Sequence, residues 1–304
     1  MKIFLSNINE SWIIDRVRKE WYTNCPEIST NQISNADIVW IISPWVLKGL
    51  DKKELKKKKV LCSYYHFDFK NFSHEEFEDL DQYVDEYHVI CEKTKADLQT
   101  LTNKKITSIP FWINQNIFFQ IDDKISLRRL FGVKDSDYLI GSFQRDTEGS
   151  DLISPKLIKG PDIFLEVVKK IYERNKSTKV VLSGTRRQYI ITNLSNMGIP
   201  FIYYEMVDFK TLNKLYNLLD LYVVSSRIEG GPQAILECGV TKTPLVSTDV
   251  GVAPEILSNE SIYKVEKFNE SKPDVDFAYE KSKKYLIPNG IKLFEKMFVE
   301  FYES

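Results

Sequence analysis

Ser225-Ser226-Arg227-Ile228-Glu229-Gly230-Gly231-Pro232-Gln233-Ala234-Ile235-Leu236-Glu237 follows directly on the apolar run Leu221-Tyr222-Val223-Val224. The succession reads as a buried strand, a glycine turn and the start of a helix. Pro232 suits the first helical position, where its missing N–H has no intrahelical partner to lose. The turn therefore belongs at a strand's carboxyl end, where open α/β sheets bind their ligands. A helix amino terminus presents bare N–H groups, and glycines beside it let the backbone approach an anion, so the turn suits a diphosphate. Glu237 falls in the second turn of the expected helix, about 8 Å further along its axis at about 1.5 Å per residue. That is the reach from a diphosphate to a ribose, whose two hydroxyls a carboxylate accepts. Taken alone, Glu-Gly-Gly-Pro reads equally as a surface turn before an ordinary helix with a solvated glutamate.

The chain of 304 residues is long enough for two domains, each with its own core. Its 42 Lys and Arg against 43 Asp and Glu leave a net charge of −1. No nucleic-acid partner is therefore expected, and contact with acidic lipid requires a local patch. The cysteines at 25, 62, 91 and 238 form no Cys-x-x-Cys pair and do not cluster with the histidines at 66, 74 and 88. This argues against zinc and a disulfide framework and for a reducing compartment. No apolar run is long enough to cross a bilayer, and Met1-Lys2-Ile3-Phe4-Leu5 leads straight into polar residues. A cytoplasmic protein is expected.

Short apolar runs alternate with amphipathic segments throughout, the pattern of parallel sheets covered by crossover helices. Strands are expected at 2–8, 37–43, 60–65, 87–91 and 106–110, then at 138–142, 179–184, 201–205, 221–225, 244–247 and 261–265. Helices are expected at 11–21, 74–83, 93–101, 161–174, 187–197, 209–220, 232–242 and 254–257. Weak periodicity over 112–124 places a boundary there, giving one domain at 1–117 and a second at 118–287. The last helix carries Ile291, Phe294, Met297, Phe298 and Phe301 on one face and needs a buried docking surface. Pro288 separates it from 277–286, so 288–304 is expected to pack back on the first domain, with an extra helix on the second as the alternative.

Further segments follow one another from Tyr138 to Leu257. Gly141-Ser142-Phe143-Gln144-Arg145 precedes Lys159-Gly160-Pro161-Asp162, and Val180-Val181-Leu182-Ser183-Gly184 ends in a glycine turn. Asp208-Phe209-Lys210-Thr211-Leu212 leads towards the strand at 221, and Glu229 and Glu237 form a Glu-x7-Glu pair. Thr243-Pro244-Leu245-Val246-Ser247-Thr248-Asp249-Val250-Gly251-Val252-Ala253-Pro254-Glu255 follows. In this order they resemble the group-1 (family 4) retaining glycosyltransferases. That family's GT-B fold is α/β, with two Rossmann-like parallel-sheet domains facing a central cleft. The first half carries a looser likeness in Tyr64-Tyr65-His66-Phe67-Asp68, Cys91-Glu92-Lys93-Thr94 and Ile109-Pro110-Phe111-Trp112-Ile113-Asn114.

The resemblance implies transfer of a sugar from a nucleoside-diphosphate sugar, a co-substrate rather than a cofactor, to a glycan, lipid-linked or other acceptor. It implies retention by front-face transfer, with the leaving phosphate helping to deprotonate the acceptor. Arg145 and Lys159 match the family's phosphate-contacting pair, and charge building on a departing phosphate is what preorganised cations stabilise. Outside the motif they read as two solvated basic residues. Glu237 matches the ribose-binding glutamate, and Glu229 the first glutamate, near the donor sugar and not a general base. Gly184, Gly230, Gly231 and Pro232 fall with the donor-binding turns, although Gly-Gly-Pro departs from the family's usual Gly-Phe-Gly. His66 matches a histidine facing the donor sugar; its plainer reading is a polar strand end. A metal site is not expected, because Asp79-Leu80-Asp81 and Asp135-Ser136-Asp137 read as solvated.

A non-catalytic nucleotide-sugar or carbohydrate-binding module of the same fold is the alternative, and an epimerase or phosphorylase on a related scaffold is a further rival. Lys52, Lys53, Lys56, Lys57, Lys58 and Lys59 form a cationic stretch that reads as a solvated helix and loop, or as a peripheral contact with an anionic membrane. The glycine-rich loop that relatives carry after the first strand is missing. Trp12, Trp21, Trp40, Trp45 and Trp112 are candidates for a sugar-stacking platform, with core packing as their default.

Overall fold

Two five-stranded parallel sheets organise the chain, one in Met1–Trp112 together with Tyr285–Ser304 and one in Ile113–Lys284. The structure is a computed structural model, and it describes residues 1–7, 13–149 and 151–304. Trp12 and the expected helix start at Ser11 lie outside the described residues.

In the first unit, β1 (Ile3–Leu5), α1 (Ile13–Asn24), β2 (Ile38–Ile41), α2 (Lys52–Leu55), β3 (Lys59–Tyr64), α3 (His74–Asp81), β4 (Glu86–Val89), α4 (Glu92–Gln99) and β5 (Lys105–Ser108) follow in order. The strands pair in sequence order, with Ile3 beside Ile38 and Trp40 beside Leu61. Side chains alternate across a strand, so the two faces carry different cores. Ile38 and Trp40 pack with Val17 and Trp21 of α1, whereas Val39 and Ile41 pack with Leu55, Phe77, Leu80 and Leu98 from α2, α3 and α4. A parallel bridge from Ile3 to Ser29 explains why α1 takes the opposite face. The chain leaves β1 first towards Ser29 and then returns past it to β2, and right-handed crossovers in opposite directions put their helices on opposite faces.

The second unit comprises α5 (Lys124–Leu130), β6 (Tyr138–Ser142), α6 (Pro161–Arg174), β7 (Thr178–Ser183), α7 (Gln188–Asn196), β8 (Phe201–Tyr204), α8 (Phe209–Leu218), β9 (Leu221–Val224), α9 (Gln233–Thr241), β10 (Leu245–Ser247), α10 (Ala253–Ile256) and α11 (Val275–Ser282). The strand order is β10-β9-β6-β7-β8. The chain runs outward from β6 through β7 to β8, then returns to the other side of β6 for β9 and β10. The order therefore reverses between β6 and β9, the switch point at which such sheets open a ligand crevice. Phe164, Val167 and Val168 of α6 pack on Val180, Leu182 and Val223 to hold this sheet.

The expected strand at 261–265 does not form. Ile262 makes one bridge to Ser247, but tight 3-10 turns at Asn259–Ser261 and Val265–Glu270 flank it and stop the ladder. The helix α2 falls in the lysine-rich stretch read as a solvated helix and loop, whereas α5 and α11 were not among the expected helices; Asp51, Asp123 and Asp274 start the three by accepting the N–H groups of Lys53, Ser126 and Phe277.

The C-terminal helix α12 (Asn289–Glu303) lies in the first unit. Its Ile291, Phe294, Met297, Phe298 and Phe301 share one core with Trp21, Trp40, Phe111 and Trp112. Phe294 stacks on Phe111 with ring centroids 5.6 Å apart, and Lys59 Nζ donates to the carbonyl of Phe301 at 2.9 Å.

Candidate functional site

The carboxyl ends of β6 and β9 bring Gln144, Arg145, Lys159, Ser226 and Glu229 to the switch point of the second sheet. Lys159 Nζ is ion-paired with Glu229 Oε1, both side chains mostly buried. The Ser226 hydroxyl lies 3.2 Å from Glu229 Oε1 and 3.2 Å from Gln144 Oε1. Gln144 Nε2 and Ser225 Oγ both donate to the Lys159 carbonyl, at 2.9 and 3.2 Å. Both strand ends therefore hold the backbone that presents Lys159.

Two glycines make this approach possible. Gly160 has φ 59°, and a Cβ there would lie 1.8 Å from the Ser225 carbonyl oxygen. Gly251 has φ 52°, and its Cβ would lie 2.1 Å from the carbonyl oxygen of Gly230. Left-handed backbone and contact this close admit only glycine. Gly230 and Gly231 themselves do not enter the left-handed region. Pro232 stands at the N-cap of α9 rather than at its first helical position, because the turn carries one residue further before Gln233 begins the helix. Gly184 ends β7, where a Cβ would come within 3.5 Å of the Phe143 carbonyl on the same rim.

Arg145 is half-buried and makes no hydrogen bond or ion pair among the described residues. Lys156, which the sequence reading missed, joins it. The backbone N–H of Lys156 donates to the Asp146 carbonyl at 2.7 Å, and that of Lys159 to the Lys156 carbonyl at 2.8 Å. The signal was the folding back of the loop through the Thr147 to Pro155 bridge, which sequence spacing does not reveal. Burial first, then Arg145 and Lys159, depress the Lys156 ammonium below its usual pKa, while Glu148 and Glu229 oppose the shift. Three cations thus meet where two acids stand. Below them Arg187 Nε pairs with Asp146 Oδ2 at 2.8 Å, and its Nη1 donates to the carbonyls of Ser142 and Ser183 at 2.9 and 3.2 Å. This fully buried pair ties the ends of β6 and β7 to the backbone next to Arg145. Burial pushes the Asp146 carboxyl up, against the pull of Arg187.

Glu237 is buried, and Tyr216 donates its hydroxyl to Glu237 Oε2 at 2.8 Å. One carboxylate oxygen is thus engaged within the protein, which orients the group and leaves its other lone pairs to accept further hydrogen bonds. Burial and the adjacent Glu237 keep the Tyr216 phenol protonated by pushing its pKa well up. His66 belongs to the first unit, where it lines a pocket with Trp45, Tyr64 and Tyr65. Of the tryptophans, Trp21, Trp40 and Trp112 are buried in the first core and Trp45 is exposed. Asp79 pairs with Lys52 and Asp137 with Lys179, and among the described residues no three metal-ligating side chains gather. Lys48 and Lys57 pair with Glu76 and Glu54, and Lys58 donates to the Ser34 carbonyl. No helix among the described residues is long and apolar enough to cross a membrane.

Residues 152–272 match the family Glycosyl transferases group 1. That segment is a group 1 glycosyltransferase domain. It contains Lys156, Lys159, Gly184, Glu229 and Glu237, while Gln144 and Arg145 precede it. An uncharacterised glycosyltransferase of Methanocaldococcus jannaschii is 30% identical over 142 residues, which are 46% of this chain and 34% of that protein. The match thus spans about a third of that relative's length. Anabaena HepE, solved with UDP and glucose, is 11% identical and matches with a TM-score of 0.76 over 98% of this chain and 100% of that one. Sucrose-phosphate synthase of Thermosynechococcus elongatus matches at 0.67 with 11% identity, over 94% of this chain and 78% of that one. S. aureus TarM matches at 0.63 with 14% identity, over 90% and 56%. These likenesses establish the fold as GT-B, built from the two parallel sheets.

Proposed function

We propose that the protein is a glycosyltransferase that takes its sugar from a nucleoside-diphosphate donor bound at the end of β6 and β9. The observation that carries this reading is the convergence of Arg145, Lys156 and Lys159 on a glycine-built turn at the switch point of a group 1 domain. Like-charged side chains held together in a half-buried rim are poised for an anion, and a diphosphate supplies it. HepE has been solved with UDP-glucose, which makes a uridine diphosphate sugar the first donor to test.

In this reading the bond between the sugar's anomeric carbon and the diphosphate oxygen breaks while the three cations hold the departing charge. The bond to the acceptor oxygen forms on the same face, and the acceptor's proton goes to the leaving diphosphate. Configuration is retained, and no step requires a metal. Glu229, held by Lys159 and Ser226, stands at the sugar end, and Glu237, oriented by Tyr216, at the ribose end. The acceptor is a glycan, a lipid-linked molecule or another hydroxyl-bearing compound. Any membrane contact by the 52–59 stretch falls to Lys53 and Lys56, which make no ion pair among the described residues.

Thermal shifts with uridine, guanosine and adenosine diphosphates and their sugars test the donor. Ligand at about 100 times its Kd adds about 2.7 kcal/mol of stability, so the correct base stands out. Transfer and donor hydrolysis are then followed with and without EDTA. Binding without turnover across an acceptor panel favours the non-catalytic module, and no binding by any diphosphate overturns the site.

A further inference from the structure

The pocket that His66 lines opens at the carboxyl ends of β2 and β3 and has a volume of about 640 Å³. That volume lies within the range of small-molecule sites. Its walls include Trp45, Tyr64, Tyr65, Phe72 and Phe77, and its rim carries Asp68, Glu75, Glu76 and Asp79 against the lone cation Lys48. Trp45 stays 53% exposed, unlike the three tryptophans of the core. Two of the four acids are already matched: Glu76 by Lys48 at 3.1 Å and Asp79 by Lys52 at 2.8 Å. Glu75 makes no ion pair among the described residues. Asp68 accepts hydrogen bonds from the Lys70 backbone at 3.3 Å and from Asn71 Nδ2 at 2.8 Å, which orient its carboxylate without neutralising it.

Aromatic faces carry the negative lobe of the ring quadrupole, and a concave site lined by one sign of charge concentrates the opposite sign. Walls and rim therefore select in the same direction. We propose that this pocket binds an organic cation, the ammonium or trimethylammonium group of a small ligand, against its aromatic walls and beside Asp68 and Glu75. Its sign is opposite to that of the Arg145, Lys156 and Lys159 cluster, so it is not a second phosphate site. Burial first, then Cys62 and Glu76, push the Tyr64 phenol up to about 12, so its ring stays a neutral wall of the pocket. As an acceptor site the pocket selects an amine-bearing sugar over the anionic diphosphate of a lipid carrier. That extension rests on the proposed function; the binding of the cation does not.

The test compares choline with 3,3-dimethyl-1-butanol, its uncharged isostere, and glucosamine with glucose and glucuronate. Binding to the full chain is followed by calorimetry and tryptophan fluorescence at low and high salt. Each cation should bind about tenfold more tightly than its neutral counterpart, and salt should narrow the gap. Glu75→Gln, on an exposed side chain, and Asp68→Asn should each weaken the cation severalfold and leave the neutral ligand unchanged. Trp45→Ala should abolish the advantage and Trp45→Phe should keep most of it, which separates loss of the ring from misfolding. Equal affinity of the neutral isostere, preference for glucuronate, absence of saturable cation binding, or indifference to Glu75→Gln and Asp68→Asn together each overturns the proposal.

Discussion

The side chains of Arg145 and Lys156 make no hydrogen bond or ion pair among the described residues, and Lys159 shares its charge with Glu229. In the proposed function an arriving diphosphate meets two uncommitted cations and one that must be drawn from an acid. Arg145→Ala and Lys159→Ala should each lower kcat by about 100-fold, the scale of losing one donor to developing charge. Lys156→Ala should fall in the same range, with Lys156→Arg restoring much of it; steady-state kinetics with saturating donor decides. Glu237→Ala should raise the donor KM more than it lowers kcat. A different residue-scale prediction concerns His88, buried in the first core. Trp40 Nε1 donates to Ser63 Oγ at 2.8 Å, Ser63 donates on to His88 Nδ1 at 2.8 Å, and His88 Nε2 donates to the Ile109 carbonyl at 2.7 Å. Every polar atom of this chain has its partner while the imidazole is neutral, and burial lowers the His88 pKa to about 4. The unfolded chain takes up the proton first, near pH ~6.5. Stability is therefore unaffected above that pH, falls between about 6.5 and 4, and is lower by about 3 kcal/mol below pH ~4. Urea unfolding of wild type and His88→Gln across this window should show the wild-type slope disappear in the variant.

At the scale of elements, what holds the site is a pair of turns rather than a side chain. Gly160 brings the start of α6 against Ser225 at the end of β9, and Gly251 brings the segment after β10 against Gly230. In Gly160→Ala the added methyl faces both a left-handed backbone and a carbonyl at 1.8 Å, so the start of α6 must retreat and take Lys159 with it. The variant should lose a few kcal/mol of stability, from about 1–3 for the strained backbone plus the clash. It should also lose diphosphate affinity, read by thermal shift with and without UDP; a fall in melting temperature with affinity intact would show that Lys159 is placed by other contacts. These elements were largely legible beforehand. The strands of both sheets read from β-branched apolar runs, and the turns at Gly160 and Gly230 from their motifs. What escaped was set by distant partners. Ile262 has strand-like neighbours in sequence but finds one bridge only. The helix α5, seven residues long, is too short for periodicity to show. Lys156 reaches Arg145 because its loop closes on itself between Thr147 and Pro155. The Tyr216 bond to Glu237 likewise joins two helices whose approach no local pattern encodes.

For the molecule as a whole, the decisive connection is the return of the last helix to the first sheet. One face of that sheet has α1 alone from its own crossovers, and α12 supplies the rest of the cover through Ile291, Phe294, Met297, Phe298 and Phe301. Phe294 is fully buried and its ring meets those of Trp40, His88, Phe111 and Trp112 at centroid distances of 5.5, 4.9, 5.6 and 5.0 Å. Phe294→Ala removes these contacts and leaves a cavity among rigid aromatic walls that cannot collapse to fill it. The expected cost is about 3–5 kcal/mol. Domains hold only about 5–15 kcal/mol in all, so one substitution takes a large share of the first unit's stability. Deleting residues 289–304 should leave that unit unfolded, with Trp21, Trp40 and Trp112 exposed to water. The cation cluster lies wholly within Ile113–Lys284, so Phe294→Ala should leave diphosphate binding at low temperature close to wild type. Heating should then separate two events in the variant: an early red shift of tryptophan emission from the first unit, and a later transition that UDP raises. A single transition, raised by UDP as a whole, would mean that the two units unfold as one cooperative body and that α12 stabilises the donor site as well as the sheet it covers.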